Sequence, residues 1–291
     1  MIKPLLMATR PKTLPAAIVP VWAGCVLAWK LTGRFDLMLA LCTLGGAVFI
    51  QIATNLFNDA IDAAKGADTE RRVGPQRVTA SGLLSRQVVM AGGAVFLLLA
   101  VACGVVLIRS AGWPILAIGV PSMYLAYGYT GGPFPLAYRG MGEIFVVAFF
   151  GLVAVAGTVF VQIHEWRWEA LLLGAQIGLL SAVLISINNL RDREEDSTTG
   201  KRTLAVRLGP KPARGIIWLE IKLTIFLGLG WFALGQPWLV MAVLPLLTLG
   251  LRIIWDVFTM EEGPGMNKLL ALSALQLVAF AGLFHVLAVK F

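Results

Sequence analysis

Residues 36–68 read DLMLALCTLGGAVFIQIATNLFNDAIDAAKGAD: an apolar run from Leu37 to Thr54 leads straight into Asn55, Asn58, Asp59, Asp62 and Asp68. A helix rises 1.5 Å per residue, so such a run covers most of a hydrocarbon core about 30 Å thick. It then meets three aspartates where lipid gives way to water. The rest of the chain has the same character. Of 291 residues 58% are hydrophobic and 14% charged, with a mean hydropathy of +0.81, against roughly 25% charged in a soluble domain. Nine apolar stretches of spanning length are predicted, at about 13–31, 37–57, 87–108, 113–130, 142–161, 169–190, 214–234, 237–255 and 268–289. The expectation is an all-α membrane protein, a nine-helix transmembrane bundle forming a single domain over 1–291. The basic start MIKPLLMATRPK leads into a full-length span without a small-residue cleavage site, so the first stretch is expected to stay as a span.

Lys and Arg set the expected orientation. With a cytoplasmic N-terminus, seventeen of the 24 fall in the tail and the loops on that side and five on the other, with Lys222 and Arg252 inside spans. The positive-inside rule then places the N-terminus and both long polar loops in the cytoplasm. The same rule accounts for the net charge of +8 without a nucleic-acid partner. Cys25, Cys42 and Cys103 all sit inside spans with no CxxC spacing and read as small packing residues.

The second polar loop, NNLRDREEDSTTGKRTLAVRLG at 188–209, echoes the first. Asn55, Asp59 and Asp62 recur as Asn188, Asp192 and Asp196, and two of the pairs stand 133 residues apart. Residues three or four apart share a helix face, so each trio makes a polar edge at the end of a span, the second and the sixth. Four spans separate the edges, which puts them on one side, as two four-helix repeats plus a ninth helix would. Four converging carboxylates need cations: two of them 4 Å apart repel by about 4 kcal/mol at an effective dielectric of 20. Oxygen ligands without His or Cys select hard ions, and Mg²⁺ is usually held by one or two carboxylates plus substrate phosphates. The competing reading is helix capping and pairing with neighbouring arginines. Two matching motifs on one side weigh against that. Lys12, Arg71, Arg72, Arg77, Arg139, Lys201, Arg202 and Arg207 surround the edges and supply what a diphosphate requires. Each taken alone is also an ordinary positive-inside residue.

NxxxDxxD at 55–62 and NxxxDxxxD at 188–196, with RPKTLP at 10–15, RRVGPQR at 71–77 and YTGGPFPLAYRGMGE at 129–143, resemble the intramembrane aromatic prenyltransferase superfamily. Together the strings are similar to its branch that acts on 1,4-dihydroxy-2-naphthoate in menaquinone synthesis. The resemblance covers essentially the whole chain and implies a helical bundle whose cavity opens to the bilayer. It implies Mg²⁺ held by Asp59, Asp62, Asp192 and Asp196 with Asn55 and Asn188. It further implies a polyprenyl diphosphate contacted by Lys12, Asn55, Asn58, Arg72, Arg77, Asn188 and Lys201. Arg139 and Glu143, four apart, are expected to share a helix face between the Asp edges, where the guanidinium would grip the naphthoate carboxylate or the diphosphate and Glu143 would orient the acceptor or an adjacent cation. A bacterial plasma membrane is implied, with no obligatory protein partner. The alternatives are a relative using another aromatic acceptor such as 4-hydroxybenzoate, and an ion-coupled transporter. The latter should hold its ions at mid-membrane on broken helices, not at helix ends amid basic residues.

Overall fold

The computed structural model describes residues 2–67, 74 and 77–291, and among them there are helices and no strands. Eight helical stretches are long and apolar enough to cross a membrane: Pro15–Thr32 (α1), Leu37–Ala64 (α2), Arg86–Ala111 (α3), Gly142–Ile163 (α5), Trp168–Arg191 (α6), Pro210–Ala233 (α7), Pro237–Thr259 (α8) and Pro264–Lys290 (α9). Between α3 and α5 lies α4, Trp113–Gly128, which has 16 residues, about 24 Å of rise. That is shorter than the 113–130 span expected there. The second span differs in the other direction. Its apolar run is expected to end near residue 57, with the aspartates as a polar edge there. Instead α2 runs on to Ala64, because the alanines at 60, 63 and 64 favour a helix, and Gly66 then breaks it at φ 67°. Asp59 and Asp62 are therefore helical and buried.

Helix ends follow local chemistry. The Asp36 carboxylate accepts from the Leu39 amide at 2.9 Å and caps α2, and Ser85 does the same for α3 through the Val88 amide. Gly33, at φ 67°, closes α1 by donating to the Trp29 carbonyl. On the face away from the aspartates, Gln162 at the end of α5 bonds both the amide and the carbonyl of Asp36. Trp22 donates its indole N–H to His285 there as well.

Lipid supplies no hydrophobic drive between helices, so close backbone approach and interhelical hydrogen bonds do the packing. Gly174 and Gly178 form a GxxxG pair on α6. A Cβ on Gly151, in the π-helical stretch Val147–Val153 of α5, would lie 2.3 Å from the Gly174 carbonyl oxygen and 2.5 Å from the Gly178 Cα. Gly93 on α3 likewise receives the Phe57 ring of α2, and Gly24 on α1 receives Thr158 of α5. The largest core joins Leu27 of α1, Leu173 and Ile177 of α6, Trp231 of α7 and Phe280 and Phe284 of α9. Within it Gln176 accepts from the Trp231 indole at 2.9 Å and donates to the Thr224 carbonyl at 3.2 Å, so its amide is satisfied away from water.

The contact between α5 and α6 is testable. Gly151→Ala should lower thermal stability in detergent by about 1–3 kcal/mol through overpacking. Gly215→Ala, whose Cβ would meet nothing within 4 Å, should be neutral or stabilising by up to about 1 kcal/mol. Equal unfolding midpoints for the two variants would contradict the close approach.

Candidate active site

Asp59 and Asp62, one turn apart on α2, are both almost fully buried. Asp59 accepts the amides of Val78 at 3.1 Å and Thr79 at 2.9 Å, which draws the returning chain onto the helix. Asp62 gathers side chains from three segments. Tyr138 donates its hydroxyl to Oδ1 at 2.9 Å, and Lys201 at 3.0 Å and Arg77 at 3.3 Å donate to Oδ2. Lys201 follows the second motif, so this ion pair ties the two polar loops together. Lys65, just past the helix, donates to the Thr130 carbonyl at 2.6 Å and sits 4.1 Å over the Tyr138 ring. Burial holds its amine below the usual lysine value; Asp62 opposes this and Lys201 adds to it. Thr130 also donates to Asn58.

Asn55 is turned toward the N-terminal segment. Its Nδ2 donates to the Thr9 carbonyl at 2.9 Å and to Thr13 Oγ1 at 3.0 Å. This anchors the turn Pro11–Thr13, on which Lys12 is exposed.

The second motif closes on a residue the sequence reading did not single out. The buried Arg191 guanidinium grips both oxygens of Asp192 at 2.7 Å, the Asn188 Oδ1 at 2.9 Å and the Asn267 Oδ1 of α9 at 2.7 Å. Asp192 caps α6, and Asp196 lies buried on the following short helix Arg193–Thr198. Asn189 donates to Glu143 at 2.9 Å, and the other Glu143 carboxylate oxygen is buried without a hydrogen-bond partner. Tyr129 shows the convergence of the two motifs. Burial, reinforced by Glu143, Asp62 and Asp196, pushes its phenol well above the usual tyrosine value, so it stays protonated and is able to donate.

The expected common face of Arg139 and Glu143 does not form. Gly140 takes φ 66°, and the helix starts only at Gly142. Arg139 is consequently exposed, stacked 4.4 Å over Phe134, while Glu143 points inward. Arg71 and Arg72 lie outside the described residues. Tyr129, Thr130 and Tyr138 belong to a string the sequence marked, yet their roles carry no local spacing signal. A tyrosine beside a basic residue in a Gly- and Pro-rich polar loop was the only hint.

Among the described residues no three His, Cys, Asp or Glu side chains form a ready-made metal cage. Mg²⁺ does not need one, since one or two carboxylates, substrate phosphates and water complete its octahedron. The donors here are oxygen only. A carboxylate has about four lone-pair sites, and from described partners Asp59 accepts two bonds and Asp62 three. The residues thus fit a Mg²⁺ that arrives with a diphosphate. Beside this polar end lies an apolar cavity of about 320 Å³. Gln51, Thr54, Tyr129 and Leu136 line its polar side, and Ile108 and Ile115 lie toward the opposite face.

A sequence profile of the UbiA prenyltransferase family matches residues 17–286. The 1,4-dihydroxy-2-naphthoate octaprenyltransferase of Escherichia coli (strain K12) is 38% identical over 215 residues, 72% of this chain and 70% of its own. Its namesake from Mycobacterium leprae (strain TN) is 34% identical over 284 residues, 95% of this chain and 92% of its own. The structure of a UbiA homolog from Archaeoglobus fulgidus bound to DMAPP and Mg²⁺ has the same fold, with a TM-score of 0.69 at 17% identity over 97% of this chain and 99% of that one. The profile match takes in both aspartate motifs and nearly the whole bundle, and the chain belongs to the UbiA prenyltransferase family.

Proposed function

We propose that this protein transfers a polyprenyl group from polyprenyl diphosphate to 1,4-dihydroxy-2-naphthoate, with loss of diphosphate and CO₂, to give demethylmenaquinol in menaquinone biosynthesis. The observation that carries this reading is the junction at Asp62. Cations from both polar loops meet a carboxylate edge there, beside an apolar cavity. An amphipathic donor with an anionic head and a hydrocarbon tail matches such a junction, and the names of the relatives supply the naphthoate.

Asp59, Asp62, Asp192 and Asp196, with Asn55 and Asn188, are the residues that would hold Mg²⁺, which supplies electrostatic stabilisation of the leaving diphosphate. Asn55 keeps a carbonyl oxygen for that role while its amide holds the N-terminal turn. Lys201 and Arg77, both on Asp62, are placed to neutralise the diphosphate as the allylic C–O bond breaks and the electron pair leaves with oxygen. Asn58, Lys12 and Arg72 complete the head-group set, and Arg139 stands at the rim. The ring attacks the allylic carbon, a C–C bond forms, and the carboxylate departs as CO₂ leaving its bonding pair to the ring. Tyr129, held protonated, would donate a hydrogen bond to a substrate oxygen. Glu143 offers its unpartnered oxygen to a naphthol hydroxyl. The apolar walls keep water from the developing cation.

We read the bundle as nine spans arranged as two four-helix repeats plus a ninth helix, with α4 short. The N-terminus and the Asp edge lie on the cytoplasmic side of a bacterial plasma membrane, as the distribution of basic residues supports.

Purified protein with Mg²⁺, a long polyprenyl diphosphate and 1,4-dihydroxy-2-naphthoate should yield a decarboxylated, prenylated naphthoquinol. Turnover of 4-hydroxybenzoate with its carboxylate retained, and none of the naphthoate, would assign another acceptor; substrate movement without diphosphate release would assign transport. Asp62→Asn or Asp192→Asn should cut turnover by about a hundredfold or more, the scale of losing a key electrostatic stabiliser. EDTA should do the same to the unaltered protein, and near-full activity in EDTA would remove the metal from the reaction. In a cysteine-free background, single cysteines at Gly66 and Thr198 should be labelled only from the cytoplasm and one at Gly235 only from outside. Labelling of the first two from opposite faces would refute a shared site.

A further inference from the structure

Few polar side chains line the apolar cavity, and most of them are already satisfied. Thr43, Thr54, Ser122 and Thr158 each donate the hydroxyl proton to the carbonyl four residues back on the same helix, at 2.6 to 2.8 Å. Among the described residues on the wall, the Tyr129 phenol and the Gln51 amide remain. Gln51 is 8% exposed, and its Oε1 is buried without a hydrogen-bond partner. Such an oxygen is costly to leave unmade. Gln162 and Gln176 have both ends of their amides bonded; Gln276 shares the condition of Gln51 but is not on this wall.

The surrounding network fixes which way this amide points. Thr13 has one hydroxyl proton and gives it to the Arg10 carbonyl at 3.0 Å, so toward its other neighbours it only accepts. Asn55 donates to it at 3.0 Å and Gln51 Nε2 at 3.4 Å. The nitrogen of Gln51 must therefore face Thr13, and Oε1 is turned away from it. Ala47 and Thr54, four before and three after Gln51 on the same helix face, line the cavity with it. The oxygen is thus presented to the cavity one turn beyond Asn55, on the apolar side of the aspartates.

We propose that Gln51 is a specificity-determining residue for the aromatic acceptor, its Oε1 accepting a hydrogen bond from the ring hydroxyl remote from the carboxylate. This rests on the naphthoate prenyltransferase reading above. In 1,4-dihydroxy-2-naphthoate the 1-hydroxyl lies beside the carboxylate and bonds to it internally, so the 4-hydroxyl is the donor that needs a partner on entering an apolar site. Gln51 supplies one. An amide does not take the proton; it holds the ring in register and, by drawing on the O–H, enriches the ring that attacks the allylic carbon. Glu143 and Tyr129 are left to the end of the ring that carries the carboxylate. An acceptor without the remote hydroxyl leaves Oε1 unpartnered, and such a mismatch is what a polar site rejects most strongly.

The test uses the full chain with Mg²⁺ and octaprenyl diphosphate. It measures kcat/KM for 1,4-dihydroxy-2-naphthoate, KM for the donor, and the inhibition constant of 1-hydroxy-2-naphthoate, which lacks the 4-hydroxyl. Gln51→Met, close in volume but without the amide, should lower kcat/KM for the diol about ten- to a hundredfold, the scale of one hydroxyl left without its acceptor. The donor KM and the inhibition constant of the analogue should stay within about twofold. Gln51→Leu gives the same readout should Gln51→Met fail to fold. Gln51→Glu keeps an acceptor oxygen and should retain more activity toward the diol than either. Equal weakening of the diol and the analogue, or an unchanged kcat/KM in Gln51→Met, would overturn the assignment of Gln51 and leave the reaction standing. If the unaltered protein does not prenylate the diol at all, the reaction assignment fails and takes Gln51 with it, so that arm is read first.

Discussion

A carboxylate buried at the end of a membrane helix must be neutralised, and most of the polar end of this protein is arranged around that requirement at Asp62. Removing one partner from a buried pair costs about 3–5 kcal/mol, so the loops that bring Arg77, Tyr138 and Lys201 are not free to wander. Asp59 extends the constraint by holding the backbone at 78 and 79. Two residues on one helix thereby fix where three separate segments end, and the cations fixed in this way are those a diphosphate would meet.

The two aspartate motifs, so alike in spacing, are held differently. The first reaches outward to other segments. The second is drawn together by Arg191, which binds Asn188, Asp192 and Asn267 with one guanidinium and so pins the end of α6 to the start of α9. A rigid planar fork suits this task, because each of its N–H groups has a fixed direction. One edge is thus stitched across the protein and the other is locked to the bundle.

Much of this was legible beforehand. Long apolar runs and the paired Asn and Asp spacing pointed to the helices and to the polar end, because hydropathy over twenty residues and a three-to-four periodicity are local signals. The errors arose where the outcome depends on backbone detail or on distant partners. Gly140 and Met141 separate Arg139 from the helix that Gly142 begins, and no spacing rule tells a helical start from a turn when glycines flank it. Tyr138 meets Asp62 across 76 residues, and nothing beside it announces that. Hydropathy ends the second span near residue 57, although the alanines between the acidic residues keep the helix going to Ala64. The Gly174–Gly178 pair was present in the sequence, but its partner is the π-helical turn of α5, which no pattern in the chain foretells.

The pair between Asp62 and Lys201 also bears on how the protein is made. The two residues are 139 positions apart; at about 5–20 residues per second a ribosome needs roughly 7–28 s to bridge that distance. Throughout that interval α2 has been synthesised and its carboxylate lacks the lysine. Arg77, only fifteen positions on, follows within about 1–3 s, so of the two cations bonded to Asp62 it is the first to be synthesised. Asp62's partners thus come from both halves of the protein, and its full set exists only once the second half has been made.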